Sequence, residues 1–178
     1  MDVLNIHKRK LEADPTAVGA LLDSLSSPED RLWPRHAWPR MAFDRPLEVG
    51  ARGGHGPIRY VVEAYTPGQS IRFRFIGPSG FDGFHGYEIE RGLSAQTTVL
   101  KHTLEMTARG KAVASWPLIY RPMHDALLED SLALAQVSLG LPPDIRPWSF
   151  WVKMLRWSLS GGKAHGQAMP DTFNQDEK

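Results

Sequence analysis

The chain has 178 residues, 21 basic and 20 acidic side chains, a net charge of +1, 42% apolar and 23% charged residues, and no cysteine. This make-up describes one folded domain with a C-terminal extension rather than a disordered segment. It argues against nucleic acid as a partner, which would call for a basic stripe, and it excludes disulfides, thiol catalysis and thiolate metal sites. No apolar run approaches the roughly 20 residues of a membrane span. The first residues carry no apolar core of a secretory signal, so a cytoplasmic location is expected.

Val3 to Glu12 reads as a first strand with poor alternation. Asp14-Pro15 marks a helix start, an acceptor at the cap followed by proline in the first turn. Val18, Leu21, Leu22 and Leu25 then share one helical face. Ser27-Pro28-Glu29-Asp30 repeats the start signal and predicts a second short helix. Leu32 to Pro46 is rich in Trp, Pro and Arg, and its three prolines forbid regular helix. Trp33 to Arg40, with Arg31, Arg35, His36 and Arg40 beside two tryptophans, reads as a proline-stiffened loop anchored by buried tryptophans or as a lid for an anionic or aromatic ligand. Alternation over Met41 to Val49 predicts strand two. The glycine-rich stretch Gly50 to Gly56 reads as a turn; it lacks the Lys-Ser/Thr ending of a phosphate-binding loop and opens no helix.

Strand three covers Ile58 to Tyr65 and strand four Ile71 to Phe75, joined by the tight turn Thr66-Pro67-Gly68-Gln69. This hairpin would set Tyr60 opposite Phe75, Val62 opposite Phe73 and Glu63 opposite Arg72. Strands five (Phe81 to Glu90) and six (Thr97 to Met106) form a further hairpin. A turn centred near Leu93 and Ser94 would set His85 opposite His102 and Tyr87 opposite Leu100. Trp116 to Leu139 reads as one long helix with prolines at 117 and 122. Ile119, Tyr120, Met123, Leu127, Leu134 and Val137 form its apolar face, and Asp125, Glu129 and Gln136 its solvated face. Trp148 to Trp157 reads as a short helix, apolar except for a strip of Ser149, Lys153 and Arg156. The boundaries are therefore 1–140 for the main domain, 141–160 for a Trp-rich helical extension and 161–178 for a flexible polar tail.

Ala13-Asp14-Pro15-Thr16-Ala17-Val18, Tyr60 to Gly68 through the first hairpin, Arg72-Phe73-Arg74-Phe75 and the single closing helix together resemble the START-like, or helix-grip, superfamily. That superfamily includes Bet v 1-type pollen allergens and SRPBCC proteins of the polyketide cyclase and dehydrase type. The resemblance covers about Val3 to Leu139 and rests on element order more than on any one motif. It implies an α+β fold: a curved antiparallel sheet of about seven strands around a long C-terminal helix, with two short helices between strands one and two. It also implies a cavity between sheet and helix for lipids, sterols or polyketides, with no shared catalytic residues.

The candidates for chemistry are His85 and His102, which lie on the apolar faces of their strands. Imidazoles facing each other in an apolar enclosure should have depressed, coupled pKa values, suiting them to orient a polar group or to act as acid or base. The expected ligand-binding wall adds Tyr60, Phe73, Phe75 and Tyr87, with Leu100 and Leu104, from the sheet. Trp116, Tyr120, Met123, Leu127 and Asp130 come from the helix. His124 and Ser131 lie at the edge of the same face. No metal and no cofactor is expected. The expected partner is an apolar small molecule, with a homodimer through the C-terminal aromatic helix as a further partnership. Three readings follow: a hydrophobic-ligand binder, a cyclase, aromatase or dehydratase using the cavity histidines, or an interaction module with a filled core.

Overall fold

A computed structural model describes residues 1–163 and 166–167; the expected tail therefore lies largely outside the described residues. Seven strands form one antiparallel sheet: β1 (Asp2–Leu11), β2 (Ala42–Phe43), β3 (Arg52–His55), β4 (Ile58–Thr66), β5 (Ser70–Gly77), β6 (Phe81–Arg91) and β7 (Thr98–Ala108). Their order is β1-β7-β6-β5-β4-β3-β2, so the first strand closes against the last. Helix α1 (Pro15–Asp23) follows β1. After β7, α2 (Ala112–Ser115) runs through a π-helical turn (Trp116–Tyr120) into α3 (Arg121–Ser138), and α4 (Phe150–Leu159) comes last. No helix of the described residues is long and apolar enough to cross a membrane.

Helix α1 starts as its sequence dictates: Asp14 accepts from the backbone N–H groups of Thr16 and Ala17, ahead of Pro15. Its far end is clipped to the β4–β5 turn, because Asp23 Oδ1 accepts from Tyr65 Oη and Gly68 N, both at 2.8 Å. The helix can lie that close only because residue 19 has no side chain. A Cβ on Gly19 would meet the Gly68 carbonyl oxygen at 2.6 Å. Gly19→Val is therefore expected to cost about 2–3 kcal/mol by pushing helix and turn apart, read as a fall in Tm of roughly 5–10 °C.

The second short helix expected at Ser27–Asp30 does not form. Asp30 instead accepts from Ser26 N, Leu32 N and Trp33 N, drawing its own flanks into a tight reversal that Pro34 then ends. Strand two is also shorter than Met41 to Val49. Only Ala42 and Phe43 pair, and the chain bends away through Pro46. The strand continues the sheet inside the glycine stretch that read as a turn. Gly53 sits directly on β2, where a side chain would collide with the Ala42 carbonyl. Small residues here mark a close strand approach rather than a loop.

The β4–β5 hairpin has the expected pairs Tyr60–Phe75 and Val62–Phe73. A bulge then places Ala64, not Glu63, opposite Arg72. Glu63 still reaches Arg72 at 2.8 Å and Arg74 at 2.7 Å. The β6–β7 pairing slips by two residues from expectation: His85 faces Leu104, and Tyr87 faces His102. The turn extends to Thr97, whose carbonyl receives Gly92 N, and this lengthens the hairpin. A slip of two preserves the side-chain faces, so both histidines stay on the inner surface, now diagonal to each other.

Strand β1 explains its own poor alternation. Leu4 and Ile6 face solvent, while Asn5, His7 and Arg9 point inward between Val3 and Leu11. They meet the α3 face that the helical wheel assigned to solvent. His7 Nδ1 lies 2.8 Å from Glu129, Asn5 donates to Asp125 at 2.9 Å, and Arg9 donates to Gln136 at 2.6 Å and to Glu129 at 2.8 Å. Two polar surfaces that bury each other leave the same sequence pattern as two that face water. The solvated-face reading of Asp125, Glu129 and Gln136 is thereby corrected.

Candidate functional site

A cavity of about 610 Å³ lies between the inner surface of the sheet, the π-turn and α3. Phe75, Phe81, His85, Tyr87, His102 and Leu104 line it from the sheet. Trp116, Tyr120, Met123, His124, Leu127 and Leu128 line it from the helical side. The Trp33–Arg40 segment supplies a further wall, with Trp33 and Trp38 buried. Exposed Arg35, His36, Pro39, Pro57, Ile119 and Leu159 form its rim.

Of the residues named from sequence, Phe75, His85, Tyr87, His102, Leu104, Trp116, Tyr120, Met123 and Leu127 lie on this wall. Tyr60, Phe73 and Leu100 do not; each is fully buried in the packed layer outside it. Tyr60 packs its ring 4.8 Å from His85 and shares a 3.1 Å hydrogen bond with His55 Nδ1. Asp130 also lies off the wall. Ser131 is tied to Tyr87 Oη at 2.9 Å and donates to the Leu32 carbonyl at 2.8 Å, so its hydroxyl is occupied. His55, Phe81, Met41 and Ile58 join the wall without having been singled out, while Trp33, Trp38, Arg35 and His36 of the loop read as a lid or as a buried-Trp anchor also line it. His55 stood in the glycine stretch read as a turn, whereas the tryptophans stood in the loop read as a lid or a buried anchor, and both tryptophans are buried.

His85 Nδ1 and His102 Nε2 are 3.3 Å apart, and the two residues are 6% and 2% exposed. Burial pushes both imidazoles well below the ordinary histidine value, and neighbouring imidazoles push the same way. Both rings are therefore neutral at pH 7. One nitrogen of the contact donates and the other accepts. Whichever tautomer holds, one of the two outer nitrogens carries a proton and the other a bare lone pair. Those outer atoms, His85 Nε2 and His102 Nδ1, are buried and have no hydrogen-bond partner among the described residues. The pair thus presents one donor and one acceptor in a largely aromatic and aliphatic wall. Phe75 stacks on His85 at 4.9 Å, and Tyr87 meets His102 edge-on at 4.7 Å, which holds both rings in place.

His124 continues the file, with its ring 5.2 Å from His102 and 6.0 Å from His7. His7 behaves oppositely to the cavity histidines. Burial alone would lower it, but its bonds to Asp125 and Glu129, and their charges, prevail and raise it to about 9.

Asp130 anchors the C-terminal extension. Its carboxylate accepts from Trp38 Nε1 at 2.7 Å, Trp148 Nε1 at 2.8 Å and Gln167 Nε2 at 2.7 Å. The Arg156 guanidinium lies 4.3 Å over each of the two indole rings and donates to the Ala37 carbonyl. The expected polar strip of α4 therefore splits: Ser149 and Lys153 stay exposed, but Arg156 turns inward. Arg156 and Val152 face inward, while Phe150, Trp151 and Trp157 are exposed.

The arrangement defines a class of protein: a curved sheet gripping one long helix around an apolar chamber with a polar spot on its wall. No family model and no curated protein matches the sequence. Solved structures do match the fold. Norcoclaurine synthase from Thalictrum flavum, in complex with dopamine and hydroxybenzaldehyde, aligns at 11% identity with TM-score 0.58, covering 79% of this chain and 88% of that one. CalU16 from Micromonospora echinospora aligns at 11% identity with TM-score 0.56, covering 91% and 96%. The di-domain ARO/CYC protein StfQ of the steffimycin biosynthetic pathway aligns at 14% identity with TM-score 0.56, covering 76% of this chain and 49% of that one. The chain has the START-like, Bet v 1-like helix-grip fold.

Proposed function

We propose that the chain binds a hydrophobic small molecule of lipid, polyketide or aromatic type, a ring-bearing one with a hydroxyl or carbonyl group fitting best. The observation that carries this is the unpartnered donor and acceptor of the His85–His102 pair, set in the wall of an otherwise largely apolar cavity. Its volume of about 610 Å³ is in the ordinary range for small-molecule sites, and space of that size argues against a filled-core module. Buried polar groups without partners are rare and costly, and a ligand hydroxyl or carbonyl that reached either nitrogen would relieve part of that cost. The bound dopamine and hydroxybenzaldehyde of the norcoclaurine synthase structure are ring compounds carrying such groups.

A cyclase- or dehydratase-type reaction is the second reading, supported by the StfQ likeness. It asks a histidine to take a proton near neutral pH. The depressed basicity of His85 and His102 makes them better hydrogen-bonding groups than bases, which favours binding. A second copy of the chain, if it pairs, would cover Phe150, Trp151 and Trp157 on the exposed face of α4.

Isothermal titration with a panel of phenolic and fused-ring ketone probes tests the reading. The expected result is binding that weakens roughly 10-fold or more in His85→Leu, the cost of one lost hydrogen bond to a buried polar group. Equal affinity of the two proteins for every probe that binds would sink it.

A further inference from the structure

We infer that His7, His124 and Asp125 form a binding site for a divalent transition metal of the zinc class, beside the cavity. The three residues come from β1 and the second turn of α3, and one ligand atom from each lies within 4.8 Å of the others. His7 Nε2 is 3.1 Å and His124 Nδ1 is 3.8 Å from Asp125 Oδ1. Two ligands bonded at about 2.0–2.1 Å to one tetrahedral ion stand about 3.3 Å apart, so the spacing is that of a shared ion with small adjustment.

Two features beyond proximity point to an ion. Both nitrogens of His124 are shut off from solvent with no hydrogen-bond partner among the described residues. An imidazole in that position has a lone pair with nothing to bind. The surrounding groups also orient the ligands as metal sites require. Glu129 holds His7 Nδ1 at 2.8 Å, which favours a proton on that nitrogen and turns Nε2 toward Asp125. Asn5 donates to the Asp125 carboxylate at 2.9 Å and fixes its rotation. The ion would replace the proton that His7 otherwise holds against Asp125, releasing it to solvent.

Two imidazoles and a carboxylate suit zinc, cobalt or iron(II) rather than magnesium or calcium, which prefer all-oxygen sites. Three protein ligands leave a fourth position for water or a ligand oxygen. His124 itself lines the cavity, so that position adjoins the chamber. The inference goes beyond the ligand-binding reading and does not depend on it, because an ion can bind whether or not the chamber holds a guest.

The test uses the full, tag-free chain stripped with a chelator and titrated with Zn²⁺ by calorimetry and with Co²⁺ by visible absorption. The expected result is one ion per chain, with the ligand-field bands of four-coordinate cobalt. His7→Gln, His124→Ala and Asp125→Asn should each weaken Zn²⁺ by about 100-fold, and Glu129→Gln by about 10-fold. Circular dichroism confirms that each variant is folded, and His124→Gln stands in should the alanine variant fail to fold. No stoichiometric binding, or binding indifferent to any one of the three ligands, would overturn the assignment.

Discussion

Asp130→Ala is expected to lower the unfolding free energy by about 3–5 kcal/mol, the usual cost of removing one side of a buried charged network. Asp130 is 1% exposed and is the acceptor for two indole N–H groups, from Trp38 in the cavity loop and Trp148 ahead of α4. Alanine leaves the indole donors of Trp38 and Trp148 without their shared acceptor. It also leaves Arg156, 8% exposed and held between the two indoles, as an uncompensated buried cation. The loss should fall on the attachment of the loop and α4 to α3, so tryptophan emission should shift to the red at temperatures where the sheet is still folded. Asp130→Ala combined with Arg156→Met should recover part of the loss, because the second change removes the stranded charge and fills its space. Chemical denaturation of the single and double variants measures both effects. A single variant within about 0.5 kcal/mol of the parent would mean that the carboxylate contributes nothing net, and that packing alone holds the extension.

Most of this fold was legible because strand faces survive errors of register. The β6–β7 hairpin was placed two residues out, yet His85 and His102 still came to the same wall, since side chains alternate with period two. The capped start of α1 and the Thr66–Gln69 turn were equally readable from local chemistry. What failed to show was polar pairing at long range. Asn5, His7 and Arg9 on β1 meet Asp125, Glu129 and Gln136 about 120 residues later, and neither half alone distinguishes a buried polar face from a wet one. Arg156 misled in the same way. An arginine on a helix otherwise rich in Trp and Phe reads as the solvent strip, whereas here two indoles and a carboxylate make it the buried side. The tryptophan loop reads as a lid or an anchor, but the wall from Met41 to Ile58 escaped because its glycine stretch read as a turn rather than a strand.

Acid should unfold the protein well before its carboxylates are fully protonated. His85 and His102 are neutral in the folded state, with values well below the ordinary 6.5 because burial disfavours the charged form. In the unfolded chain the same residues take up protons as the pH falls through 6.5. The stability they contribute is complete above that value and is lost as the pH drops toward their folded values. Where the unfolded chain is protonated and the folded one is not, each histidine contributes a slope of about 1.4 kcal/mol per pH unit, or about 3 kcal/mol for the pair. His7 acts in the opposite sense: raised to about 9 by Asp125 and Glu129, it supplies stability that is complete below 6.5 and fades as the pH climbs through 9. The two effects together place the stability maximum between about 6.5 and 9. Urea unfolding from pH 5 to 10 in the presence of a chelator should show a steep acid limb, and His102→Leu should reduce its slope by about 1.4 kcal/mol per unit. A limb that stays flat from pH 7 to 5 would mean that the imidazoles reach water or a proton donor within the fold, and the picture of a buried, neutral histidine pair would have to be abandoned.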